Sequence, residues 1–148
     1  MYSNIPIKLP EIDLEGFQVV KGDMFINSNC SHSMMMSIWP DSISFSQASI
    51  DALNKCERVR MEINTAAKSI VVIPVTIQDK DNIRWVVINK GITRRIQCVK
   101  FTRMIYRIWG WDEDLAYKAR GKLVSANNKV MLMFSFENAT SWKYAKPK

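Results

Sequence analysis

Arg58-Val59-Arg60-Met61-Glu62-Ile63-Asn64 sets the reading of this fold. Val59, Met61 and Ile63 fall at every second position, with Arg58, Arg60, Glu62 and Asn64 between them. Successive side chains of a strand point to opposite faces, so the segment reads as a strand with one buried face. Asn64-Thr65-Ala66-Ala67-Lys68 reads as a turn, and the β-branched run 69–76 returns as the second strand of a hairpin. Upstream, Ile43-Ser44-Phe45 reads as another strand. Ser46 then caps a short helix, its hydroxyl accepting a free N–H of the first turn. Ile50 and Leu53, with Ala48 and Ala52 nearby, give that helix an apolar side.

The same order recurs downstream. Residues 93–97 read as a strand and residues 98–109 as the best helix in the chain. Cys98, Phe101, Met104, Ile105, Ile108 and Trp109 fall on one stripe of it, with Lys100, Arg103 and Arg107 opposite. Gly110 terminates this helix. Residues 112–114 turn, 116–124 form a strand, 125–129 turn again, and 130–136 return. Strand–helix–strand–strand therefore occurs twice. That order predicts an internally duplicated α+β domain over 40–148, with halves 40–90 and 91–137. Its antiparallel sheet would carry both helices on one face. Residues 1–39 are expected to form an accessory arm, with a hairpin around Lys21-Gly22-Asp23 and a strand at 34–39, packed with the rest as one unit.

The segment Ile43-Ser44-Phe45-Ser46-Gln47-Ala48, with its strand and hairpin, resembles the first half of a family of small uncharacterised bacterial proteins. Arg107-Ile108-Trp109-Gly110-Trp111-Asp112 resembles the end of that family's second helix. The resemblance covers residues 40–136. It implies a duplicated α+β domain of phage or mobile-element type from a low-GC bacterium, and it brings no functional residues with it. At fold level the duplicated plan also resembles the saddle of TATA-binding proteins, an analogy that speaks to fold and not to function.

The 148 residues are 47% hydrophobic and 24% charged, the composition of an ordinary globular chain. A chain of this length can bury a core without disulfides or metals. No stretch reaches the length of an apolar membrane span, and the N-terminus lacks the charged start and apolar run of a signal peptide. A cytoplasmic location is expected on that ground. Cys30, Cys56 and Cys98 are too few and too scattered for a disulfide framework.

Charge is unevenly placed. Residues 93–148 hold 12 of the 21 basic side chains and 4 of the 14 acidic ones. A localised cationic region is the electrostatic footprint of a polyanion-binding surface. Two sets of residues could supply it. One is the helix face Lys100, Arg103 and Arg107, with Arg94 and Arg95 just before it. The other is the strand face Lys118, Arg120 and Lys122, with Arg58 and Arg60. Tyr117, Trp85 and Trp142 are aromatic candidates for stacking bases. The two faces would point in opposite directions, so they cannot form one contact surface on a single subunit.

The motifs of catalysis are thin. His32, the sole histidine, stands two residues from Cys30 with no orienting group in its loop. Asp79, Asp81 and the run Asp112-Glu113-Asp114 read as solvated turns. No glycine-rich phosphate cradle is present. The expectation is a non-enzymatic nucleic-acid-binding or regulatory protein with DNA or RNA as partner and with no cofactor, metal or small-molecule substrate. The alternative is a protein-interaction module. Apolar side chains at successive positions of 130–136 point to a strand buried on both faces or in an interface, which favours a homodimer.

Overall fold

A computed structural model describes residues 9–21, 33–86 and 95–144. It is a curled half-barrel of antiparallel sheet with two short helices, broadly an α+β arrangement. The strands are β1 (Met35–Ile38), β2 (Ser42–Phe45), β3 (Arg58–Asn64), β4 (Ser69–Pro74), β5 (Ile83–Arg84), β6 (Ile96–Gln97), β7 (Leu115–Ala126), β8 (Lys129–Ser135) and β9 (Thr140–Lys143). Helix α1 (Gln47–Ala52) follows β2, and α2 (Val99–Ile108) follows β6. The strands are ordered β5-β3-β4-β8-β7-β1-β2-β6, with β9 also paired to β7.

The alternation in β3 is realised as read. Val59 is fully buried, while Met61 and Ile63 stand opposite the buried Val72 and Ile70 of β4. The β7–β8 hairpin turns on Asn127 and Asn128, whose φ values of 53° and 65° lie in the left-handed region that asparagine tolerates. Ser46 caps α1 as expected, its Oγ accepting the Ser49 N–H at 3.3 Å. The same Oγ accepts the Met35 N–H at 2.9 Å and donates to the Ser33 carbonyl at 2.8 Å. One hydroxyl thus ties the helix start to β1.

Both helices enter one core. Ile50 and Leu53 of the α1 region meet Ile105, Tyr106 and Trp109 of the α2 region, together with Met36, Ile38, Phe45, Val59, Val72, Leu132 and Phe134 from the sheet. The buried side of α2 is rotated from the expected stripe. Thr102 and Tyr106 are buried, whereas Ile108 is 51% exposed. The reason is hydrogen bonding. Thr102 donates to the Pro40 carbonyl at 2.7 Å, and Tyr106 donates to the Leu115 carbonyl at 2.7 Å. These partners remove the penalty for burying a hydroxyl.

The N-terminal part departs from expectation in two ways. Residues 35–38 form the strand expected at 34–39, but that strand lies inside the sheet between β2 and β7 rather than in an accessory arm, with Met36 and Ile38 fully buried. Residues 17–20 form no strand. Phe17, Val19 and Val20 are more than half exposed with no neighbouring strand in the described residues, while the other arm of the expected hairpin lies outside the described residues. Within residues 130–136, Met131, Leu132, Phe134 and Phe136 are buried as expected, whereas Val130 and Ser135 are exposed. Strand β8 lies between β4 and β7, and Met131, Leu132 and Phe134 are buried within the chain itself. That burial removes the ground for requiring a second copy to cover this strand.

Gly121 of β7 stands opposite Phe134 of β8 on the core side. A Cβ at Gly121 would lie 2.6 Å from Phe134 Cε1, and Phe134 is fully buried. Gly121→Ala is therefore expected to destabilise the fold by about 1–3 kcal/mol, the usual cost of overpacking. The midpoint of urea unfolding reads this directly, and an unchanged midpoint would refute the packing account.

Candidate nucleic-acid interface

On β7 the core takes Tyr117, Ala119 and Gly121. Ala119 pairs with Met36 of β1, and Tyr117 packs parallel to Trp111 with ring centroids 3.9 Å apart. Strand alternation then sends Lys118, Arg120 and Lys122 to the other face, and all three are exposed. None forms an ion pair with a carboxylate among the described residues. Neighbouring members of this row are about 7 Å apart along the strand.

The row ends against two tryptophans. Trp142 of β9 stands opposite Ala116, two residues before Lys118, and Ala116 is fully buried. The Trp142 ring meets Trp39 edge to face, with centroids 5.8 Å apart. The Lys118 ammonium lies 5.5 Å from the Trp142 ring centroid. Arg95 lies over Trp39, its guanidinium carbon 4.0 Å from the ring centroid. Arg95 is held there by Ser42 Oγ at 2.9 Å and by the Asp41 carboxylate at 3.1 Å. Both tryptophans are half-buried. Arg95, Trp39, Trp142 and Lys118 therefore form one chain of contacts leading into the β7 row.

The other residues expected at a site are distributed differently. Arg94 lies outside the described residues. Lys100, Arg103 and Arg107 are exposed on α2, on the helix side of the sheet and away from the β7 row. Arg103 and Arg107 line an open cleft of about 470 Å³ with Tyr106, Trp111 and Glu113. Arg58 and Arg60 share the outward orientation of the β7 row but are already engaged. Arg58 donates to Asn82 Oδ1 at 2.6 Å, and Arg60 pairs with both Asp79 and Glu62. Asp79 is held below its ordinary carboxylate range, first by the Asp81 N–H and then by Arg60. The acid residue read as a solvated turn is thus the partner that neutralises this end of the sheet.

Of the aromatic candidates, only Trp142 reaches this surface. Trp85 is buried in the core and donates its indole N–H to the Cys56 carbonyl at 2.6 Å. Tyr117 packs on the core side, and its hydroxyl accepts the Asp112 N–H at 3.0 Å. Trp39 was not among the sequence candidates. The signal for it is the alternation of β1: with Met36 and Ile38 inward, Ser37 and Trp39 must face outward.

Comparison with known protein-family models, with curated proteins and with solved structures found no match. Among the described residues, no helix is long and apolar enough to cross a membrane. No group of three or more histidine, cysteine or acidic side chains suited to a metal ion occurs among them.

Cys98, just before α2, lies close to this surface. Burial, and then the nearby Asp41 carboxylate, push its thiol up to about 11 from an ordinary 9.0. The thiolate is the reactive form. Alkylation of native Cys98 is therefore expected to have its pH midpoint near 11, followed by peptide mass spectrometry. Because the folded thiol holds its proton more tightly, its contribution to stability is intact below pH 9 and is lost as pH rises toward 11. An alkylation midpoint at 9 would refute this environment.

Proposed function

We propose that this chain is a non-enzymatic nucleic-acid-binding protein that holds a sugar-phosphate backbone on the outer face of β7. The observation that carries the reading is the exposed row Lys118, Arg120 and Lys122, without carboxylate partners among the described residues and continuous with Trp39, Trp142 and Arg95. Neutralising phosphates with such a row releases condensed counterions, which is the main source of sequence-independent affinity. The cations of α2 lie on a different side and are not part of this surface.

A duplicated unit belongs to the same proposal. Its support is the pairing scheme. The order strand–helix–strand–strand occurs in β2-α1-β3-β4 and again in β6-α2-β7-β8. Strands β4 and β8 pair antiparallel with each other, as do β2 and β6. Strand β1 flanks β7, and β5 flanks β3. Exchanging the halves maps these four pairs onto one another, while the β1–β2 and β7–β9 pairs have no counterpart among the described residues. The resemblance to small bacterial proteins of mobile-element type, and the analogy with the TATA-binding saddle, enter only through this unit.

A second reading, a protein-interaction module that includes a homodimer, is favoured by apolar side chains left in solvent. Leu123 and Val130, near the end of the β7–β8 hairpin, are 49% and 55% exposed. Salt separates the two readings, because an apolar interface lacks the steep salt dependence of phosphate binding.

Fluorescence anisotropy with labelled oligonucleotides tests the proposal. Three phosphate contacts give a slope of log K against log salt of about −2 for single strands, hence about a twentyfold loss between about 50 and 200 mM salt. Lys118→Glu, Arg120→Glu and Lys122→Glu combined should weaken binding by at least tenfold, while Arg103→Glu with Arg107→Glu should leave it within about twofold. Equal effects of the two sets would refute the assignment to the sheet face.

A further inference from the structure

We propose that the polymer bound is single-stranded and that Trp142, with Trp39 behind it, is the platform on which its bases stack. This inference rests on the reading of the β7 row as a phosphate-binding surface. The cation row and the indole pair share one residue: Lys118 belongs to the row and lies over Trp142 at 5.5 Å. That distance is at the outer range of a cation–π contact, so the lysine can leave the ring for a phosphate when a base takes its place. Arg95 cannot leave as readily, because Asp41 and Ser42 both hold it on Trp39. Trp39 is therefore the fixed part of the pair and Trp142 the face that a base can cover.

A duplex makes poor use of this arrangement. Its bases are already stacked, so an indole reaches them only by unstacking a step. Major-groove readout uses an inserted helix or a two-stranded ribbon. Both helices pack into the core, on the face opposite the row. The exposed end of the β7–β8 hairpin reads Val124-Ser125-Ala126-Asn127-Asn128, with no cation until Lys129. Basic tracks with interleaved aromatics are the general solution for single strands, and they tolerate any base because every base has a π face.

The test uses the full chain with oligo(dT), oligo(U) and a blunt duplex of equal length at low salt, read by anisotropy and by indole fluorescence. Trp142→Leu keeps an apolar cover over Ala116 while removing the aromatic face, and its unfolding midpoint is measured alongside. The expected result is at least tenfold tighter binding of a single strand than of the duplex, with quenching of indole fluorescence. The Trp142→Leu variant, folded, is expected to lose about tenfold on the single strand. Duplex binding as tight as single-strand binding, or a Trp142→Leu variant within twofold of the parent, overturns the single-strand inference and leaves the phosphate reading standing. No binding of any of the three probes overturns the phosphate reading itself.

Discussion

The close approach of Phe134 to Gly121 is the constraint on which the sheet depends. The ring of Phe134 occupies the space where a Cβ at Gly121 would be, so any larger residue there must displace the ring or strain the pairing of β7 with β8 at this register. From that point β7 serves three neighbours. Its C-terminal half pairs with β8, its middle with β1 and its start with β9. Register and facing are coupled in a strand, since a slip of one residue exchanges its two faces. Fixing Gly121 inward therefore fixes Ala119 and Tyr117 inward, and it fixes Lys118, Arg120 and Lys122 outward. Core packing and the display of charge are two consequences of one register.

Much of this was legible because it is local. The alternation of 58–64, the turns at 65–68 and 127–128, the serine cap of α1 and the boundaries of α2 each depend on residues close in sequence. What escaped was set by distant partners. The strand of residues 35–38 was legible, but its place inside the sheet was not, because its partner β7 lies about 80 positions away. The buried side of α2 escaped for a different reason. Counting apolar residues misses Thr102 and Tyr106, which are buried because the Pro40, Ile38 and Leu115 carbonyls accept their protons. A hydroxyl with a partner behaves in a core much like an apolar group, and no periodicity reveals the partner.

The candidate surface was legible to the same degree. Alternation alone placed Lys118, Arg120 and Lys122 on one face. It also placed Arg58 and Arg60 there, and alternation cannot say that Asp79 returns from the next loop to meet Arg60. Arg95 was assigned to the helix set because it precedes α2 in sequence. The pairing of β2 with β6 instead carries it beside Asp41 and onto Trp39. Its contacts follow the sheet and not the helix.

The difference between β3 and β7 bears most directly on function. Each strand follows a helix and leads into a hairpin, and the two present the same kind of row: Arg58, Arg60 and Glu62 on one, Lys118, Arg120 and Lys122 on the other. On β3 the charges are closed locally by Glu62, Asp79 and Asn82, which leaves little for an external ion. On β7 the position corresponding to an acid is a third cation, and no described carboxylate pairs with the row. Like charges about 7 Å apart repel one another, so an unpaired row is a standing cost to the free protein. A structural role would favour closing it as β3 is closed. On the proposed reading, the negative charge that β7 lacks comes from a bound polyanion, at a spacing that a chain of phosphates can match.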